Sequence, residues 1–405
     1  MEGYWAFAWV QIIAHNWSSL GWRFALVSLL IAAGIFHLDI SLISETVPWW
    51  LASLTVLVPL MAWLFDTRRT AILQGVLSLL ILVLMLGGLG WLAIPMQPRD
   101  LMFGGVVVLT MLTSNLVHVL GTILREMARG QFQDDAVAEA LKHNAAPIIL
   151  ANLTTLLGFW VVAWWSPDFK ALAWVVTAGA LMSLWVTLTW LPWLLLRYRL
   201  EFRVGHYSDR HGFSRLVRWM KVHPSLTRLL GIAGMVALIV ANAVVFWKAF
   251  ESVSSILVML AVVWLLLWLA WRQVGTATVA VLMNWLAVSL VAALLLVLDL
   301  SVSTLAMIVP LGLVIDDAIH FFTRMVRAGR VGLFDTRELR IRFALGSVGR
   351  TIWMTSLLVI AALSPLWFSG DPVLQQTILV TALALLVATW LLIVWYPAFL
   401  ISRDK

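Results

Sequence analysis

The sequence predicts an all-α polytopic membrane protein: about twelve transmembrane helices arranged as two parallel six-helix repeats. Three observations predict it. Of the 405 residues 62% are hydrophobic and 12% charged, and the mean hydropathy is +0.98, which excludes a soluble globular chain. The apolar runs are long and continuous, unlike the alternating ten-residue segments of a transmembrane barrel. In lipid such runs must be helical, because only a helix gives every backbone N–H and C=O a partner within the segment. Finally, the chain laid over itself at an offset of about 202 residues matches its own pattern.

Taken in order, residues 1–23 read as an N-terminal interfacial segment. The first 22 carry no Lys or Arg, no cleavable signal peptide is evident, and Trp5, Phe7, Trp9, Ile12 and Ile13 suit a short helix at the membrane surface. Charges and turn residues then divide the apolar runs into twelve spans, at about 24–42, 47–65, 71–94, 101–124, 147–165, 171–196, 229–247, 254–271, 274–298, 302–323, 351–368 and 373–401. Each is long enough for a hydrocarbon core of about 30 Å. The first repeat therefore covers 24–196 and the second 229–401. Between them, 197–228 is a basic cytoplasmic linker. Its Arg197, Arg199, Arg203, Arg210, Arg215, Arg218, Lys221 and Arg228 suit a surface of anionic membrane lipid, at about 1 kcal/mol each. Asp134–His143 reads as a short capped helix leading into the fifth span.

Charge sets the orientation. With both termini in the cytoplasm, only Arg99, Lys170 and Lys248 of the 27 basic residues fall outside, and the reverse topology breaks the positive-inside rule almost everywhere. The same distribution explains the pI near 10.2 without nucleic acid. Cysteine is absent, which removes disulfides and thiolate metal sites. Single cysteines introduced at 203 or 330 should therefore resist an impermeant thiol reagent added to intact cells. Labelling from outside contradicts the twelve-span topology.

One stretch breaks the apolar pattern. Gly312-Leu-Val-Ile-Asp-Asp-Ala-Ile-His-Phe-Phe322 places Asp316, Asp317 and His320 inside the tenth span. A central Asp costs about 2.5–3.5 kcal/mol on insertion, against about 0.3–0.6 returned by each Leu, Ile, Val or Phe, so this helix is marginal alone in lipid. Its acids should face protein or a wet cavity and mark a functional site. Asp316 and His320, four apart, share a helix face, whereas Asp317 diverges from Asp316 by about 100°. The repeat places Thr-Ser-Asn-Leu-Val-His118 on Ile-Asp-Asp-Ala-Ile-His320, so Ser114, Asn115 and His118 become supporting polar candidates. Asn284, Asn152 and Ser356 read as interhelical hydrogen-bonding residues, and Gly312 as a point of close helix approach. The imidazoles and acids could be taken for metal ligands, but nothing else at ligand spacing supports a metal, and no cofactor is implied. No phosphate-binding loop or nucleophile constellation is present, so ATP-driven and enzymatic readings have no support.

These motifs resemble the resistance-nodulation-division (RND) superfamily, in particular its MMPL, Patched and sterol-sensing-domain-like branches. The resemblance rests on Gly312-x-x-x-Asp316 with His320, Arg-Gln-Val-Gly-Thr-Ala277 before the ninth span and Asn284 within it. It rests also on Gly-Arg-Thr-Ile-Trp-Met-Thr-Ser-Leu357 and, in the first half, Asn-Leu-Thr-Thr-Leu-Leu-Gly-Phe159. It implies a proton-motive-force-driven exporter of lipids or other hydrophobic molecules in the bacterial inner membrane, with Asp316 as the coupling acid and Asp317 flanking it. Two departures stand out. Family members carry large extracytoplasmic porter domains after the first and seventh spans, where this chain has only 43–46 and 248–254. In the fourth span, Thr110 and Ser114 stand at the Gly and Asp positions. Cargo would then be taken laterally from the bilayer, or a separate periplasmic or accessory protein would supply the missing part. The rival reading is a non-transporting, sterol-sensing-domain-like protein that binds lipid and regulates or scaffolds partners.

Overall fold

The computed structural model describes residues 4–201, 210–248, 250–330 and 336–403. Arg203 and the extreme termini, on which the orientation turns, lie outside the described residues. The described residues are 91% helical and contain no strand. Eleven helices among them are long and apolar enough to cross a membrane. They are Trp17–His37, Ile40–Phe65, Arg68–Leu92, Pro98–Ala128, Gln133–Trp165, Pro167–Leu195, Pro224–Trp247, Val274–Val297, Leu305–Arg330, Arg337–Ser369 and Pro372–Ile401. The eighth span of the sequence reading is represented by the shorter apolar helix Ile256–Trp271. We number the spans first to twelfth in chain order.

Four expected boundaries are corrected. The first span begins at Trp17 rather than near 24, because Arg23 does not stop it: a long basic side chain can run along an apolar helix and keep its head in water. It ends in a 3₁₀ turn, Ala33–His37, and the second span starts at Ile40 rather than near 47. Asp39 caps that start, accepting from the Ser41 N–H at 3.0 Å, which holds its carboxyl below the usual carboxylate range. The connection is thus Leu38–Asp39, shorter and earlier than 43–46. Asp134–His143 is not a separate helix. It continues through Pro147 into one 33-residue helix, Gln133–Trp165. An internal proline is tolerated in a membrane helix when neighbours re-satisfy the freed groups. Likewise the eleventh span extends back to Arg337.

The chain forms two compact units. One comprises Met1–Leu156, Ser166–Ser208 and Leu357–Leu366, and the other Leu157–Trp165, Asp209–Ser356 and Trp367–Lys405. In the first unit the fourth span is the centre, buried continuously from Leu101 to Leu120 and packed by the second, third and sixth spans. In the second unit the tenth span holds that place, packed by the ninth and twelfth.

The internal repeat extends to a backbone irregularity. The sixth span widens into a π-helical turn at Val186–Trp190, and the twelfth does so at Leu391–Trp395. Each turn ends on a Trp-x-Pro, Trp190-Leu-Pro192 and Trp395-Tyr-Pro397. Proline has no N–H to give the carbonyl four residues earlier, so the ladder must adjust there. In the first unit the orphaned acceptor, the Leu188 carbonyl, takes a hydrogen bond from Trp9 Nε1 at 2.9 Å. This bond ties the N-terminal helix, Tyr4–His15, to the end of the sixth span. Trp17 and Trp193 extend the seam, stacked with centroids 4.6 Å apart, each indole donating to the other's backbone carbonyl. Gln133 closes this end of the seam by donating to the Leu195 and Tyr198 carbonyls.

The first and third spans meet backbone to backbone. A Cβ on Gly87 would lie 2.2 Å from the Ile31 carbonyl oxygen, and one on Gly90 would lie 1.9 Å from that of Gly34. Only glycine fits these two positions, the small-residue contact by which membrane helices approach closely.

Candidate functional site

In the second unit the two acids occupy different surroundings. Asp317 is 4% exposed and turned toward the eleventh span. Thr355 Oγ1 donates to its Oδ1 at 2.7 Å, and Ser356 Oγ donates to its Oδ2 at 3.1 Å. Ser356 Oγ is in turn 2.6 Å from Thr389 Oγ1 on the twelfth span. A chain of oxygens therefore runs from a buried carboxyl on the tenth span, through the eleventh, to a half-buried hydroxyl on the twelfth, two residues before the π-turn.

Hydrogen counting gives this chain a direction. A carboxylate only accepts, so Ser356 commits its single hydrogen to Asp317 and Thr389 donates into Ser356. Thr355 has one hydrogen too, yet its oxygen lies 2.7 Å from Asp317, 2.8 Å from the Ile352 carbonyl and 3.0 Å from the Thr351 carbonyl. It can serve the carboxylate or fall back on its own helix. A protonated Asp317 would donate into Ser356, and the hydrogen of Ser356 would turn to Thr389. The hydroxyls of Ser356 and Thr389 can thus follow the acid in either charge state by rotating.

Asp316 lies around the helix, its side chain 17% exposed. His320 Nε2 stands 3.6 Å from its Oδ1, within ion-pair range and longer than a hydrogen bond. His320 itself is buried, as is Arg324 one turn further on. Asn284 of the ninth span donates from Nδ2 to the Leu311 carbonyl at 2.8 Å, beside Gly312, and so fixes the backbone that carries the acids. The residues brought together are Asp317 with Thr355, Ser356 and Thr389, and Asp316 with His320.

Ser114, Asn115 and His118 are buried on the fourth span, in the first unit. Asn115 Nδ2 donates to Ser183 Oγ of the sixth span at 2.8 Å, and Asn152 Nδ2 of the fifth lies 3.5 Å from Asn115 Oδ1. Here too a polar side chain on the central helix links its partners from the next two spans. Among the described residues no three His, Asp or Glu side chains gather at metal-ligand spacing.

Sequence reasoning put Asp316 before Asp317 and did not single out Thr355, Thr389 or Ser183. The periodicity of the tenth span says that the two acids diverge, not which one meets hydroxyls. The usable signal was the adjacent pair Thr355-Ser356 in an apolar run, at the place of Asn152 in the first half.

No family model matches the sequence, and no curated protein matches it. Its fold, however, is similar to solved structures of SecDF. The crystal structure of SecDF from Thermus thermophilus, described as a translocon-associated membrane protein, superposes with a TM-score of 0.70 at 16% identity. That match covers 89% of this chain and 62% of the other. SecDF in its super-membrane-facing form gives 0.65 at 14% identity, covering 91% and 63%. The chain thus spans less than two thirds of the SecDF chains it matches. The likeness is one of fold: the helices of this chain are arranged as in the membrane part of those structures.

Proposed function

We propose that this protein is a proton-motive-force-driven transporter of the RND type, closest in kind to the MMPL-like branch. On this reading it exports lipids or other hydrophobic molecules from the bacterial inner membrane, with both termini cytoplasmic, and is not an enzyme. Asp317 takes up and releases the proton, and the pair Asp316–His320 flanks it. The observation that carries the reading is the buried carboxyl of Asp317, bonded by the hydroxyls of Thr355 and Ser356, with Thr389 behind Ser356 so that this arm of the chain can reverse direction. A purely structural knot needs no such freedom, whereas a proton carrier in a membrane does. The Leu38–Asp39 connection supports cargo entering from the bilayer or handed to a separate accessory protein. The likeness in fold to SecDF, a translocon-associated membrane protein, makes a polypeptide the alternative cargo.

The test uses purified protein in liposomes of bacterial phospholipid, with an imposed pH gradient and potential, and a fluorescent phospholipid analogue as probe. Movement of the analogue that requires the gradient supports the reading. Absence of any gradient-dependent movement or proton flux favours the lipid-binding sensor or scaffold. That second reading has an observation of its own: the first unit holds Ser114 and Asn115 where the second has acids.

A further inference from the structure

We infer that Asn115 is a fixed, non-titrating counterpart of Asp317, which holds the first half in the hydrogen-bond arrangement that the second adopts only when its acid carries a proton. The inference rests on the proton-coupling role of Asp317 proposed above. Both residues sit at the matched position of the central helix of their unit, and both are followed three residues later by a buried histidine, His118 and His320. Both connect to the next two spans, and in both halves the last of these spans enters its π-turn within a few residues of the hydroxyl, Ser183 or Thr389.

The direction of the hydrogen bonds is what differs. Around Asp317 the hydroxyls of Thr355 and Ser356 donate inward to a group that only accepts. Around Asn115 the amide donates outward to Ser183 Oγ. An amide has nearly the shape of a protonated carboxyl and, like it, offers one acceptor oxygen and a donor on the other atom. It cannot give up its hydrogen at any accessible pH. The outward bond of Asn115 thus has the direction of the one that a protonated Asp317 would make to Ser356, although it runs straight to the sixth span, where Asp317 reaches the twelfth only through Ser356. At the place of Thr355 and Ser356 the fifth span has Asn152, whose Nδ2 donates to the Ile148 carbonyl at 2.8 Å and lies 3.5 Å from Asn115 Oδ1, so it gives the amide only a long bond. The first half is therefore proton-silent, and one half performs the coupling.

Asn115→Asp turns the silent half into a second proton site. Labelling by dicyclohexylcarbodiimide, which attacks protonated carboxyls in apolar surroundings, is read peptide by peptide with the reconstituted protein. The wild type should label at Asp317, and Asn115→Asp should label at both 317 and 115. With two protons per cycle, the largest gradient of the phospholipid analogue sustained at about 100 mV should rise from somewhat under a hundredfold towards its square. Folded Asn115→Asp that labels only at 317 and sustains the wild-type gradient overturns the inference.

Asn115→Leu covers the case in which the acidic variant fails to fold. Losing the outward bond to Ser183, it should cut potential-driven proton uptake at least tenfold while Asp317 still labels. Unchanged uptake overturns the inference. A wild type whose flux is indifferent to Asp317→Asn sinks the underlying reading instead, so the two failures are distinct.

Discussion

Asp317→Asn should abolish gradient-driven transport and leave insertion and folding intact. The substitution preserves shape and polarity, and its amide can donate to Ser356 as Asn115 donates to Ser183, so the packing of the tenth span against the eleventh has no reason to change. What disappears is the exchangeable proton. One proton moved through about 100 mV releases about 2.3 kcal/mol, enough for a cargo gradient somewhat under a hundredfold. In the variant the phospholipid analogue should therefore equilibrate with no gradient at all. Asp316→Asn should retain part of the activity, since that carboxyl is partly exposed and is paired with His320 at 3.6 Å. This ordering reverses the one implied by family resemblance, and efflux from proteoliposomes under an imposed potential decides between them. Full loss in Asp316→Asn with retention in Asp317→Asn would restore the resemblance-based order.

The second large effect is on stability, at the crossing of the first and third spans. Gly87→Ala places a methyl 2.2 Å from the Ile31 carbonyl oxygen and 2.7 Å from the Ala32 Cα, and Gly90→Ala places one 1.9 Å from the Gly34 oxygen. All of these are backbone atoms of a helix, so no side chain can rotate away and the helices must part. Overpacking of this kind costs about 1–3 kcal/mol, and occasionally more. Both variants should lose several degrees of thermal stability in detergent and yield less monodisperse protein. Gly88→Ala is the control. Nothing lies within 4 Å of its added Cβ, and alanine favours a helix over glycine by about 1 kcal/mol. Equal melting of Gly87→Ala and Gly88→Ala would show that the two spans do not cross as described.

Much of this architecture is legible in the sequence because lipid enforces it. Apolar length predicts the spans, and misplaced charge at Asp316, Asp317 and His320 marks the candidate site. Boundaries were harder where a residue is ambiguous in a membrane. Arg23 looks like a helix limit and is not, and Pro147 looks like a helix start and lies inside one. The π-turns had a trace in the repeated Trp-x-Pro, but a missing N–H does not say whether a helix will bend, break or widen. The choice between adjacent acids depends on where Thr355, Ser356 and Thr389 fall, a matter of helix packing that no single segment encodes.

Proton movement itself tests the central claim most directly. Protein is reconstituted in liposomes of bacterial phospholipid with pyranine inside, and a potassium gradient with valinomycin sets a potential of about 100 mV, negative within. The wild type should acidify the lumen, and Asp317→Asn, equally well inserted, should not differ from protein-free liposomes. Acidification of equal rate and extent in both would contradict the account.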